Sequence, residues 1–148
     1  MQMKNPSPAS VETKKFSQVL HDENDQPAKD AVWRFLFRDW MLDVEEGDKY
    51  GVDLVCSRDG EVVGYVEVER RHNDLNRFET IHVPFRKKKF FTLDHQTILF
   101  AVNQDFTEAF WATGDIILQA PVEDKLNKYL KSERFFVVPK AHWKRVKL

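Results

Sequence analysis

An Asp-Gly pair, Asp59-Gly60, stands between two β-rich runs, and no other feature limits the fold of this chain as tightly. Residues 50–56 form the first run, residues 58–61 the turn, and residues 62–69 the return. Asp-Gly accepts the left-handed backbone that a two-residue hairpin turn demands, so these residues are expected to pair as antiparallel strands. Side chains then alternate between the two faces, and the residues that share a face can be read directly.

The remaining elements follow from periodicity. Pro27 suits the first position of a helix, and Asp25 and Asp30 favour the positive end of its dipole. Val32, Phe35, Leu36 and Trp40, with Ala28 and Ala31, recur at three- and four-residue spacing, so a helix is expected from Pro27 to about Leu42, ending before Gly47. Ahead of it, residues 1–10 read as a flexible tail and 11–21 as a short helix or capping strand, with a polar break over 21–26. Further strands are expected over 80–83, 98–102, 109–112 and 135–138. A helix is expected over 122–131, with Leu126, Tyr129 and Leu130 on one side, before a basic tail at 140–148. This order predicts an α/β fold with a central mixed β-sheet flanked by helices, in one domain spanning 11–148.

Composition narrows the function classes. Of 148 residues, 42% are hydrophobic and 13% aromatic, with twelve Phe and four Trp, enough for a core that needs no disulfide or metal to fold. The single cysteine, Cys56, lies in an apolar run and reads as a buried thiol, not a nucleophile. No cysteine–histidine cluster marks a structural zinc site. The first ten residues carry no signal-type apolar stretch, and the longest apolar run, 98–102, is far short of a membrane span, so a cytoplasmic protein without a membrane partner is expected. Charge is unevenly spread. Residues 1–69 hold eight Lys and Arg against fifteen Asp and Glu, a balance of −7, and residues 70–148 hold fifteen against nine, a balance of +6. One anionic site and one anion-attracting surface would account for this, as would two differently charged faces without further meaning.

On the returning strand Tyr65, Glu67 and Glu69 share a face. Two carboxylates so placed repel each other unless a positive charge lies between them, and oxygen ligands suit Mg²⁺ or Mn²⁺. Asp53, set among apolar neighbours where acids are rare, lies on the partner strand, and pairing around Asp59-Gly60 brings it near Glu67. A hairpin whose polar face is merely acidic is the alternative for Glu67 and Glu69 taken alone.

Asp on one strand, then Glu-x-Glu on the next after a short turn, resembles the PD-(D/E)XK, or restriction-endonuclease-like, nuclease superfamily. The resemblance covers roughly residues 27–102. It implies a core of a helix, a three-stranded antiparallel hairpin region, another helix and a further strand. Asp53 matches the motif's first acid and Glu67 its second, and Glu69 takes the usual lysine position, a departure from the pattern. The implied activity is hydrolysis of phosphodiester bonds in DNA. Asp53 and Glu67 would hold Mg²⁺ or Mn²⁺, and Glu69 would complete the metal shell or orient water. A lysine migrated to the segment Lys87–Lys89, with Lys88 at its centre, would serve as the catalytic cation. Glu23 or Asp25 is a further candidate acid near the first helix. A homodimer is the assembly that cutting both strands of a duplex would call for.

Arg70, Arg71, Arg86, Lys87, Lys88 and Lys89 flank these acids and suit contacts to a phosphate backbone, although lysines also guard a sheet edge. For Arg70 and Arg71 phosphate contact is the favoured reading. His82 is the one histidine near the acids. Trp111 and Phe106 are candidates to stack on a base, and residues 142–145 offer an aromatic and basic contact unless Trp143 packs on the domain. No Gly-rich phosphate loop and no nucleophile elbow is present. Two other readings stand beside the nuclease. One is an inactive nuclease-fold module that binds nucleic acid or a protein, and the other is an unrelated interaction domain.

Overall fold

The computed structural model describes residues 16–47, 51–72, 74–127 and 129–148, with side chains from residue 26 onward. The tail at 1–10, residues 11–15 and the side chains of Glu23 and Asp25 lie outside the described residues.

A six-stranded mixed sheet carries a helix on one face and a three-stranded sheet on the other. Its elements begin with helix α1 (Phe16–Asp39), then strands β1 (Asp43–Glu46), β2 (Leu54–Arg58) and β3 (Glu61–Arg70). Strand β4 (Thr80–Pro84) and a 3₁₀ helix (Phe85–Phe90) follow, then β5 (Thr97–Val102), β6 (Glu108–Thr113) and the short helix α2 (Gly114–Leu118). Strands β7 (Val122–Leu126), β8 (Ser132–Pro139) and β9 (Lys144–Lys147) complete the chain. The large sheet runs β1-β2-β3-β5-β6-β9 and the small one β4-β8-β7. Every neighbouring pair is antiparallel except β3 and β5, which are parallel. A parallel pair requires a crossover, and residues 71–96 supply it through β4 and the 3₁₀ helix. Among the described residues no helix is long and apolar enough to cross a membrane.

The hairpin turn follows from its residues: Asp59 and Gly60 both take positive φ, 53° and 81°, and Arg58 pairs with Glu61. One bulge interrupts the ladder between Cys56 and Ser57. Helix α1 buries Ala28, Val32, Phe35 and Leu36 against Val44, Leu54, Val66 and Val68 of the sheet. On the opposite face Leu99, Ala101, Phe110 and Ala112 meet Ile81 and Val83 of β4, Phe136 and Val138 of β8, and Ile117 of α2. Strand β5 is thus covered on both sides, which is why its sequence is a continuous apolar run. Trp40 and Trp111 meet edge to face at 5.2 Å beside Phe35 and Phe100.

Several expectations change. The first helix does not open at Pro27 but contains it. Pro27 is exposed and cannot donate to the Glu23 carbonyl, yet the polar stretch before it has no glycine to stop a helix. The helix ends before Leu42, where Met41 takes φ 54° and Leu42 N–H returns to the Leu36 carbonyl at 3.2 Å. Immediately after it comes an unexpected strand, β1, whose pattern is too short and acidic to read. Residues 122–131 are no helix: β7 pairs with β8, leaving Leu126, Tyr129 and Leu130 exposed instead of forming an apolar stripe. The basic tail forms β9 on the sheet edge, with Trp143 buried beside it.

Candidate active site

Asp53 stands one residue ahead of β2, and the pairing of Leu54 with Val66 sets it across from Glu67. Gly47 approaches this segment closely. Gly47 N–H donates to the Asp53 carbonyl at 3.1 Å, and a Cβ on Gly47 would lie 2.3 Å from the Val52 carbonyl oxygen. Only glycine fits there without moving the backbone that presents Asp53.

The two acids interlock across the strands. Asp53 N–H donates to Glu67 Oε2, and Val68 N–H donates to Asp53 Oδ2, each at 2.8 Å. Lysines reach the other oxygens. Lys29 Nζ of α1 lies 3.3 Å from Asp53 Oδ1, and Lys87 Nζ of the 3₁₀ helix lies 3.3 Å from Glu67 Oε1. Glu67 shares a sheet face with its partner Leu99, so it points between the two sheets, where the 3₁₀ helix can meet it. Side-chain exposure rises from 4% at Glu67 to 15% at Lys87, 23% at Asp53 and 27% at Lys29, so the group opens to solvent on the Asp53 and Lys29 side.

Burial pushes the Glu67 carboxyl up to about 7, and repulsion from Asp53 adds to the shift, while Lys87 and the Asp53 N–H oppose it. A carboxyl that titrates near neutrality beside a second acid and a partly buried lysine marks a candidate for chemistry. The type of donor, two carboxylates, is one that a particular kind of cation uses, although all four oxygens here meet N–H groups of the chain. Mg²⁺ and Mn²⁺ are held by one or two carboxylates completed by water and substrate phosphate, and Asp53 with Glu67 supplies such a pair. A closed protein cage is a different matter: among the described residues no group of three His, Cys, Asp or Glu can hold a metal ion.

The third acid does not join the pair. Glu69 Oε2 meets Arg71 Nη2 at 3.2 Å, because Arg71 lies two residues on and on the same face. The expectation that three acids converge is corrected to two. The lysine beside Glu67 is Lys87, not Lys88. Lys88 Nζ lies over the Phe85 ring at 5.4 Å and Lys89 Nζ over Phe90 at 5.0 Å, since successive residues of a tight helix diverge.

Arg70 and Arg71 both make contacts within the chain. Arg71 also donates to the His82 carbonyl, tying β3 to β4, and Arg70 donates to the Gln104 carbonyl at 3.1 Å above the Phe106 ring. Arg86 pairs with Glu133 at 3.7 Å. His82 contacts Lys125, with Nε2 3.2 Å from Nζ. Its partial burial, then the positive charges of Lys125 and Arg71, lowers its affinity for a proton. Trp111 and Phe106 are engaged with Trp40 and Arg70 respectively. Burial pushes the Cys56 thiol up to about 12, so it is no nucleophile.

Lys29 is the participant that sequence reasoning missed. Its one signal was position: it is the only cation in the acidic run 22–30, beside the apolar stripe of its helix. No family model, no curated protein and no solved structure matches this chain.

Proposed function

We propose that this chain is a Mg²⁺- or Mn²⁺-dependent nuclease with a restriction-endonuclease-like core, hydrolysing phosphodiester bonds in DNA. The observation that carries the reading is the interlocked pair Asp53 and Glu67 with Lys87 at 3.3 Å from Glu67. The order of elements supports it. Helix α1, the antiparallel β1-β2-β3 region and a later strand, β5, parallel to β3, follow the plan the resemblance implies, with β4 and the 3₁₀ helix where a second helix would stand. The departure at Glu69 also finds an answer, because a lysine reaches the second acid from the following segment.

Asp53 and Glu67 would hold the cation, which when bound supplies charge against the scissile phosphate and a more acidic water. Lys87 keeps an ammonium group at the closed end of the site, aimed where charge grows on the phosphate. Lys29 holds Asp53 from the helix side and keeps its carboxylate turned toward the opening.

Plasmid, single-stranded and branched DNA incubated with Mg²⁺ or Mn²⁺, beside an Asp53→Asn control, tests the reading. Cleavage that disappears in the variant is the expected result, and no cleavage of any DNA with either metal overturns it.

A second reading has one observation in its favour. All four oxygens of the pair already meet donors within the chain, two ammonium groups and two backbone N–H groups. A nuclease-fold module that only binds nucleic acid or a protein would look the same. DNA binding unchanged by EDTA, with no cleavage, distinguishes it.

A further inference from the structure

The hairpin β7–β8 ends in a turn that displays two large apolar side chains. Tyr129 is 70% exposed and Leu130 81%. Its described residues are bonded to one another: Asn127 Oδ1 accepts N–H bonds from Tyr129 at 2.9 Å and Lys131 at 3.1 Å. In addition, Leu130 N–H donates to the Asn127 carbonyl at 2.9 Å, and Asn127 N–H to that of Lys131 at 2.8 Å. Leu130 takes φ 60°, a conformation that favours glycine or asparagine. Leu130 gains little burial there to offset that conformation.

The hairpin is joined to the candidate site by a basic strip. Arg86 pairs with Glu133 at 3.7 Å, and the Phe85 ring lies under Lys88 Nζ at 5.4 Å and Arg134 Cζ at 5.7 Å. The 3₁₀ helix and residues 122–134 together hold eight Lys and Arg against three acids. Phe135 pairs with Pro84 beside that helix, and the turn ends four residues before Phe135, just ahead of β8 and roughly 13 Å away at strand spacing. The strip therefore leads from Lys87 to the apolar turn.

We infer that the turn is a wedge for unpaired bases, with Tyr129 stacking on a base and Leu130 holding the strands apart, so that the substrate is DNA with a fork, gap or single-stranded arm. This deepens the nuclease reading and rests on it. Stacking platforms beside cationic tracks are how proteins hold single strands without reading sequence. Three of the strip's cations are paired with its three acids, Arg86 with Glu133, Lys125 with Glu123 and Arg134 with Asp124. The net positive charge that remains favours a polyanion over an apolar protein groove.

The test uses the full chain with Mg²⁺ and a forked duplex with nuclease-resistant phosphorothioate linkages, carrying 2-aminopurine at the fork. Tyr129→Ser and Leu130→Gly are compared with wild type. Glycine suits the turn, so the second variant keeps its fold, and thermal melting verifies it. The expected result is a fluorescence change at the fork and an affinity roughly tenfold above that of either variant, with blunt duplex binding little changed. Equal affinity for the fork in all three proteins, with cleavage of ordinary DNA intact, overturns the wedge and leaves the nuclease standing. Failure of the wild type to bind any DNA overturns both. Loss of sedimentation with phosphatidylglycerol vesicles in the variants, without any change on DNA, assigns the turn to a lipid surface and overturns the wedge.

Discussion

The two hairpins of this molecule break opposite rules. In β2–β3 the turn obeys its chemistry, with Asp59 and Gly60 at positive φ, but the strands bury a carboxylate, Glu67, at 3% exposure. In β7–β8 the strand residues follow the solvent, with all of β7 exposed, but the turn places a leucine at positive φ and turns apolar groups to water. Each violation is held by named bonds: a box of four charges in one case, an asparagine-bonded turn in the other. Local rules fail most informatively where the structure holds the failure in place.

The largest effect expected from breaking the first hairpin's charge box is on cleavage. Lys87→Met removes the ammonium beside Glu67 while keeping the length of the side chain, and cleavage should fall by about 10²–10³-fold. Lys88→Met, one residue on and lying over Phe85, should change cleavage less than about threefold. Single-turnover rates on one DNA substrate check the contrast. Equal losses in the two variants would mean that the segment acts only as general positive charge.

Much of this contrast was legible in the sequence. Asp59-Gly60 located the hairpin, but the register of that turn alone would set Asp53 across from Val66. It is the bulge between Cys56 and Ser57, silent in the sequence, that brings it across from Glu67. Which lysine turns inward was not legible, because Lys87, Lys88 and Lys89 are chemically identical and a 3₁₀ turn sends them in three directions. Lys29 was hidden for a related reason: a single cation beside an apolar stripe declares nothing until the helix is laid on the sheet. Glu69 was misread because its neutralising partner, Arg71, was counted as a phosphate contact instead. The second hairpin was misread as a helix because Leu126, Tyr129 and Leu130 do fall at helical spacing. Nothing local showed that they would be exposed.

A smaller effect concerns stability and pH. The folded state holds the Glu67 proton more tightly than the unfolded chain, with a value of about 7 against an ordinary 4.5. The stabilisation from this group is therefore complete below pH 4.5 and lost as pH rises through about 7, at most ~3 kcal/mol in all. In EDTA, the urea midpoint should fall between pH 5 and pH 8, and Glu67→Gln should flatten that fall. A decline of the same size in wild type and variant would place its source in other groups.

The smallest effect sharpens the comparison of the turns themselves. Gly60 has open space around it, so Gly60→Ala costs only the left-handed backbone, about 1 kcal/mol. Leu130→Gly should have the opposite sign or none. The residue is 81% exposed and loses almost no burial, while relief of positive φ offsets the added freedom of glycine in the unfolded chain, for a gain between 0 and about 1 kcal/mol. Urea denaturation of the two variants beside wild type measures both. If Leu130→Gly is destabilised by as much as Gly60→Ala, the leucine side chain supports the hairpin through contacts of its own, and its place at the turn is structural. If the two changes diverge in sign, the chain keeps at position 130 a residue its own fold does not favour, and the reason lies in what the turn meets.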